Sequence, residues 1–299
     1  MIAVILAAGL SKRFGGKKLL EKINDRPMIL HTAELVGAYE FQKKLLVYSD
    51  EEVKETVQAS AWTSDFLFVH NNHAEEGLST SIKLAVETLL QLNTDKGNCN
   101  IEPENQYKEN QYKENQYKEN RDKESQYKEN QYKENQYKEN QDNESQSNES
   151  QSNESQSNEN QCIENKCIKN RYIENLDTEI LKKYSESDEG IMFFVGDQPF
   201  LNIDTVKKLN DAFREKKGSI IVPVYGVDRG NPVIFATKWM KELRKLEGDI
   251  GGRVIIRQNS SEVLEVPVTD TKIGRDIDTK EEYNAVRAER ISELHGETE

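Results

Sequence analysis

Short, almost unbroken apolar runs recur along the chain: IAVIL at 2–6, LLVYS at 45–49 and FLFVH at 66–70, then IMFFV at 191–195, SIIVPV at 219–224 and EVLEVPV at 262–268. Runs of Val, Ile, Leu and Phe bounded by polar or glycine-rich residues predict strands buried on both faces. Between them the apolar period lengthens to that of a helix. In PMILHTAELVGAY, from Pro27, the residues Met28, Ile29, Thr32, Leu35 and Val36 share one helical face, and proline stands in the first turn where its missing N–H costs nothing. Further helices are predicted for EEVKETVQA from Glu51, STSIKLAVETLLQL from Ser79, residues 203–216, TKWMKELRKL from Thr237 and a segment from Thr279, with another strand in GNPVIF. The alternation predicts an α/β fold: a single doubly wound, Rossmann-like, mostly parallel sheet with helices on both faces. A long low-complexity insert interrupts it.

That insert spans 101–175 as fifteen pentads built on QYKEN. A five-residue repeat advances about 140° per unit around a helix, so its one apolar residue, Tyr, never builds a stripe. A solenoid is excluded, because the word offers no inward apolar residue beyond Tyr. Gln, Lys, Glu, Asn and Ser cannot offset the entropy of ordering, which predicts disorder or a frayed helix, with a self-associating polar tail as the other reading. Residues 1–97 and 177–299 then form two halves of one domain around an insert at 98–176. The insert falls between a helix and the next strand, a connection expected at the amino ends of strands, away from the carboxyl ends where ligands bind. Loop closure costs grow only logarithmically, so length there is tolerated. A reading of another class makes the α/β domain a scaffold that displays the pentads to a partner.

Composition narrows the choices. Of 41 basic and 54 acidic residues, 11 and 17 lie in the pentads, which leaves the flanks with a net charge of −7 and no footprint for nucleic acid or an anionic membrane. The apolar start MIAVILAAGL lacks a basic lead and ends at Ser11, too short for a signal peptide or a span, so it reads as a buried strand in a cytoplasmic protein. Cys99, Cys162 and Cys167 form neither a disulfide framework nor a metal-ligand spacing. The histidines at 31, 70, 73 and 295 give no catalytic triad and no metal spacing.

Candidate chemistry follows the first strand. LAAGLSKRFGGKKLL, residues 6–20, has Gly9, Gly15 and Gly16 for close backbone approach and Arg13, Lys17 and Lys18 for charge, as a phosphate cradle requires. It matches neither GxxxxGK[ST] nor GxGxxG, and a glycine turn beside a solvated basic cluster is the plainer reading. GDQPF at 196–200 puts Asp197 at a strand end, although Gly-Asp-Gln-Pro is also an ordinary turn composition.

The order Leu6, Ala7, Ala8, Gly9, Ser11, Arg13, Gly15 and Lys18 resembles the signature loop LAAGxSxRxGxxK of nucleotidyltransferases with a molybdopterin guanylyltransferase-like fold. EGLSTSI at 76–82, RGNPVIF at 229–235, GDIGGR at 248–253 and DIDTKEEY at 276–283 resemble segments of the molybdenum cofactor cytidylyltransferases, in order and on both sides of the pentads. The resemblance implies transfer of CMP from CTP to the terminal phosphate of molybdopterin or its molybdenum form, with pyrophosphate released; guanylyl transfer, or transfer to another small phosphate, is the alternative. A molybdenum hydroxylase or its maturation factor is the partner so implied.

The resemblance also assigns roles. Arg13 and Lys18 are implied to be catalytic, with backbone from Ala8 to Gly16 holding the triphosphate and Lys17 a less suited neighbour. Asp197 and Asp278 would flank Mg2+, with Asp276 able to replace Asp278. Asp278 or Thr279 also suits the N-cap of the helix that follows. Gly77, Ser79 and Ser81 would read the base, with Ser79 equally suited as an N-cap, and Leu10 marks the cytidine-type version of the first loop. The acceptor is expected near Gly230, Asn231 and Pro232, an ordinary turn by composition, and near Asp249, Gly251 and Gly252.

Overall fold

The computed structural model describes residues 1–94, 181–184 and 187–296. The described residues of the two flanks form one compact unit, and the readings of the pentad tract as disordered or self-associating lie outside the described residues.

The main sheet runs in the spatial order Val263–Val268 (β10), Ile220–Tyr225 (β7), Val233–Ala236 (β9), Gly190–Val195 (β6), Ile2–Ala7 (β1), Lys43–Tyr48 (β4) and Phe66–His70 (β5). Strand β9 is antiparallel to both β6 and β7, and a short strand Asp228–Arg229 (β8) is antiparallel to β7, whereas the other pairs are parallel. The expected doubly wound, mostly parallel sheet is therefore present, with GNPVIF supplying the reversed strand.

Side chains alternate across β1 as the period of two requires. Ile2 and Val4 enter one core with Ile82, Val86 and Leu89 of helix Leu78–Thr94 (α3) and with Met240 and Leu243. Ala3, Ile5 and Ala7 enter the other, under Ile29, Ala33 and Val36 of helix Met28–Ala38 (α1), Val53 and Val57 of Glu51–Gln58 (α2), and Val206 and Leu209 of Ile203–Arg214 (α4). Each fully buried Leu or Ile contributes about 1.5–3 kcal/mol, so two such layers account for a sheet wet on neither face.

Three local features depart from the pattern-based expectation. The helix expected from Thr237 is a 3-10 turn followed by only Met240–Leu243 (α5), because Leu246 turns into the core and Gly248, at φ +64°, ends the run. Arg253–Gln258 (α6) is a helix of six residues, too short to show a period, where no element was expected. Lys22–Ile23 (β2) and Arg26–Pro27 (β3) form a hairpin whose Asn24 and Asp25 both have positive φ, 53° and 61°, as its tight turn demands.

Candidate active site

Ligands of such sheets bind beyond the carboxyl ends of strands where the winding reverses, here between β1 and β6. The two chains leave the sheet side by side, with Gly196 donating its N–H to the Leu6 carbonyl at 3.2 Å. Leu6, Ala7, Gly9, Ser11, Lys18 and Asp197 line a cleft there that opens beside a cavity of about 520 Å³.

The first loop is held from three directions. Ser11 takes a positive φ of 49° and its carbonyl accepts N–H groups from Phe14 and Gly15, both at 3.0 Å. Gly15, at φ +73°, completes the turn that a β-carbon would strain. Phe14 is 2% exposed among Ile23, Met28, Ile277, Tyr283 and Val286, and meets Tyr283 edge to face with centroids 5.9 Å apart. Ser49, at the end of β4, donates its hydroxyl to the Ala8 carbonyl at 3.1 Å. A buried phenylalanine thus fixes the middle of a loop whose glycines leave room for a ligand.

Lys18 is 8% exposed, and its ammonium donates to Asp197 Oδ2 at 2.6 Å and to Asp278 Oδ1 at 3.0 Å. The Arg13 guanidinium reaches Asp278 Oδ2 at 2.9 Å from a largely exposed position. Burial works against the Lys18 charge, but Asp197 and Asp278 outweigh it and raise the ammonium above its ordinary value. Burial likewise opposes ionisation of Asp278, and Lys18 and Arg13 overcome it and hold the carboxyl below the usual range. Asp276 points the other way: loss of water around its carboxyl, then the charge of Asp197, push it up to about 6. More than a third of the residue still faces solvent, so that crowding is local to the carboxyl. Lys17 pairs instead with Asp50 and Glu52, at 3.1 and 2.6 Å.

The C-terminal helix Lys280–Gly296 (α7) is started by Thr279, not by Asp278. Thr279 Oγ1 accepts the Glu282 N–H at 3.2 Å, and Glu282 Oε2 accepts those of Asp278 and Thr279 at 2.7 and 2.9 Å, a capping box. The Asp278 carboxylate is thereby left to the two cations. Backbone ties complete the arrangement, with the Ile277 N–H donating to the Asp197 carbonyl at 3.2 Å and Gln198 Nε2 to the Gly274 carbonyl at 3.1 Å.

Among the described residues no three His, Cys, Asp or Glu side chains converge as a metal cage. The two carboxylates around Lys18 nevertheless suit a hard cation, which takes oxygen donors, uses one or two carboxylates and completes its shell with water and phosphate. The ammonium between them marks a place that accommodates positive charge.

Other expected site residues are distributed unevenly. Leu10 is 44% exposed at the cavity mouth. Ser79 and Ser81 are not in the cavity wall: they are 1% and 4% exposed, Ser79 donates its N–H to the Gly248 carbonyl at 3.2 Å, and Ser81 Oγ accepts from Asn71 at 2.9 Å. Their hydroxyl-bearing positions are consumed by packing, and Gly77 is pressed against Gly248. Gly230 and Asn231 gather around Tyr225, whose hydroxyl donates to the Asn231 carbonyl at 2.7 Å, and the Asn231–Pro232 bond is cis. Asp249 and Gly251 pack on the start of α3, and Gly252 packs on the Phe235 ring. Neither loop lines the large cavity.

What the sequence reading missed is the opposite wall: Ser49, Asp50, His70, Asn71, Asn72 and Glu75 line the cavity. Their signal was position, since they follow the carboxyl ends of β4 and β5.

A glycine loop and a buried lysine held by two carboxylates, Asp197 just beyond a strand end and Asp278 just before the C-terminal helix, stand at the switch point of a doubly wound sheet, as in a nucleotide-binding α/β domain. The chain belongs to the family of the MobA-like NTP transferase domain, whose sequence profile matches residues 3–101 and 175–263. It is 53% identical over 55 residues, 18% of its length, to a probable molybdenum cofactor guanylyltransferase of Thermococcus sibiricus, and that match spans only 28% of the relative. Its fold is similar to the crystal structure of Rv0371c from Mycobacterium tuberculosis, with a TM-score of 0.54, 17% identity and 95% of each chain covered. A nucleotidyl transferase from Methanothermobacter is similar at a TM-score of 0.54, with 13% identity and 97% of each chain covered. Among the described residues no helix is long and apolar enough to cross a membrane.

Proposed function

We propose that the chain transfers a nucleoside monophosphate from a nucleoside triphosphate to the terminal phosphate of a molybdopterin-type acceptor, releasing pyrophosphate. The observation that carries this reading is the Lys18 ammonium, fixed between Asp197 and Asp278 beside the glycine loop. An acceptor phosphate oxygen attacks the α-phosphorus in line; its bond to phosphorus forms as the bond to the bridging β-oxygen breaks, and the electron pair leaves with pyrophosphate. Lys18 and Arg13 offset the charge that builds on the phosphoryl oxygens and leaving group, while the Phe14-anchored loop orients the triphosphate. No covalent nucleophile is needed. Asp197 and Asp278 would hold Mg2+, which when bound supplies charge neutralisation to the phosphates.

For the base, the guanylyltransferase names of the curated relatives favour GTP. CTP is the second reading, favoured by Leu10 in the LAAGLS form of the first loop. Pyrophosphate release from GTP and from CTP, each with magnesium and isolated molybdopterin, tests both. Release with GTP alone rules out the cytidylyl reading, release with CTP alone rules out the guanylyl one, and release with neither refutes the acceptor class.

A further inference from the structure

Helix α3 begins at a residue that cannot cap it. Gly77 stands where a helix usually has Ser, Thr, Asp or Asn, and its φ of +111° together with the Gly248 carbonyl only 2.7 Å from where a β-carbon would lie excludes a side chain. The capping acceptor arrives from another part of the chain. Asp249 Oδ1 accepts the Leu78 N–H at 3.2 Å and the Gly248 carbonyl accepts that of Ser79 at the same distance, so two orphan donors of α3 are satisfied by one loop. Gly251 closes on the Leu78 side chain, where a β-carbon would come within 2.9 Å.

The contact leads to the cavity wall. Thr80 Oγ1 donates to the Gly77 carbonyl at 2.8 Å and accepts from Asn71 Nδ2 at 3.0 Å, and Asn71, Asn72, Ala74 and Glu75 line the cavity. We propose that Asp249 is a positioning residue: by capping α3 from the loop at 248–252 it holds the 71–77 wall in place for the nucleoside triphosphate, and it does so as a hydrogen-bond acceptor and not through its charge. This deepens the proposed function and rests on it for the identity of the ligand.

Asparagine keeps an oxygen at the capping position and removes the charge; alanine removes both. In the full chain, Asp249→Ala is expected to speed hydrogen exchange at the Leu78 and Ser79 amides at least tenfold. It should also weaken binding of whichever of GTP or CTP the native chain binds in magnesium about three- to tenfold, measured calorimetrically without acceptor. Asp249→Asn should restore both, and Gly77→Ala should reproduce the alanine phenotype from the other side of the contact. The proposal is overturned if Asp249→Asn is as impaired as Asp249→Ala, or if Asp249→Ala leaves triphosphate affinity unchanged and raises only the KM for isolated molybdopterin. Absence of triphosphate binding by the native chain would instead refute the proposed function, while the exchange measurement still reports on the cap.

Discussion

Replacing Lys18 by methionine keeps the stem and removes the ammonium. At contact distances of 2.6 and 3.0 Å, each ion pair has a gross attraction of about 6 kcal/mol at an effective dielectric of about 20, most of it cancelled by the desolvation of the three charges. Losing one partner of a fully buried pair costs about 3–5 kcal/mol, but the Asp197 and Asp278 side chains are 21% and 32% exposed and rehydrate in part. About 2 kcal/mol of stability is therefore expected to go, a fall in Tm of about 4–8 °C for a domain of this size. Much of that loss is repulsion among carboxylates left with Arg13 alone, so adding Asp278→Asn to Lys18→Met should recover about 1 kcal/mol while turnover stays low. Turnover itself should fall by about 10²–10³, the value of one charge-stabilising donor. Thermal denaturation and pyrophosphate release on the two single variants and the double variant check the set. If Lys18→Met turns over within threefold of the native chain, or if the second substitution adds its loss in full, the assignment of Lys18 is wrong.

Phe14→Leu should cost about 1–2 kcal/mol in urea denaturation, and it should weaken triphosphate binding because the loop loses its anchor on Tyr283. Thr279→Ala should cost about 1 kcal/mol through loss of the capping box, whereas Asp278→Asn should leave stability closer to native and depress turnover, a split readable by comparing Tm with kcat. Gly37→Ala drives a β-carbon to 2.1 Å from the Trp62 carbonyl oxygen, so the variant should lose at least about 3 kcal/mol or fail to fold, as circular dichroism would show. Chelation of divalent cations should abolish pyrophosphate release and magnesium should restore it, since Asp197 and Asp278 are proposed to hold the cation.

Much of the scaffold was legible because burial on both faces writes itself as unbroken apolar runs. FLFVH at 66–70 coincides with its strand, and EEVKETVQA announces its helix with Asp50 as cap. Arg253–Gln258 was not legible, since six residues cannot display a period of 3.6. In the site, Lys18, Asp197 and Asp278 could be named from motifs, but their convergence depends on tertiary ties such as that between Ile277 and Asp197. The capping contact of Asp249 could not be read either, because a polar residue in a loop reads alike whether its hydrogen bonds go to a ligand or to a distant backbone N–H. Asp249 caps a helix that begins 171 residues earlier, and local sequence carries no mark of that.

Strand β1 pairs with β4 on one edge and with β6 on the other, and the loop after β1 is pinned by Tyr283 on α7. During synthesis, β1 and β4 therefore emerge long before the strand that completes their sheet and the helix that fixes the phosphate loop. Until then, one edge of the future centre of the fold offers unpaired backbone and apolar side chains to any neighbour. Chaperone dependence should accordingly centre on the nascent N-terminal half, and nucleotide binding should be among the last properties the chain acquires.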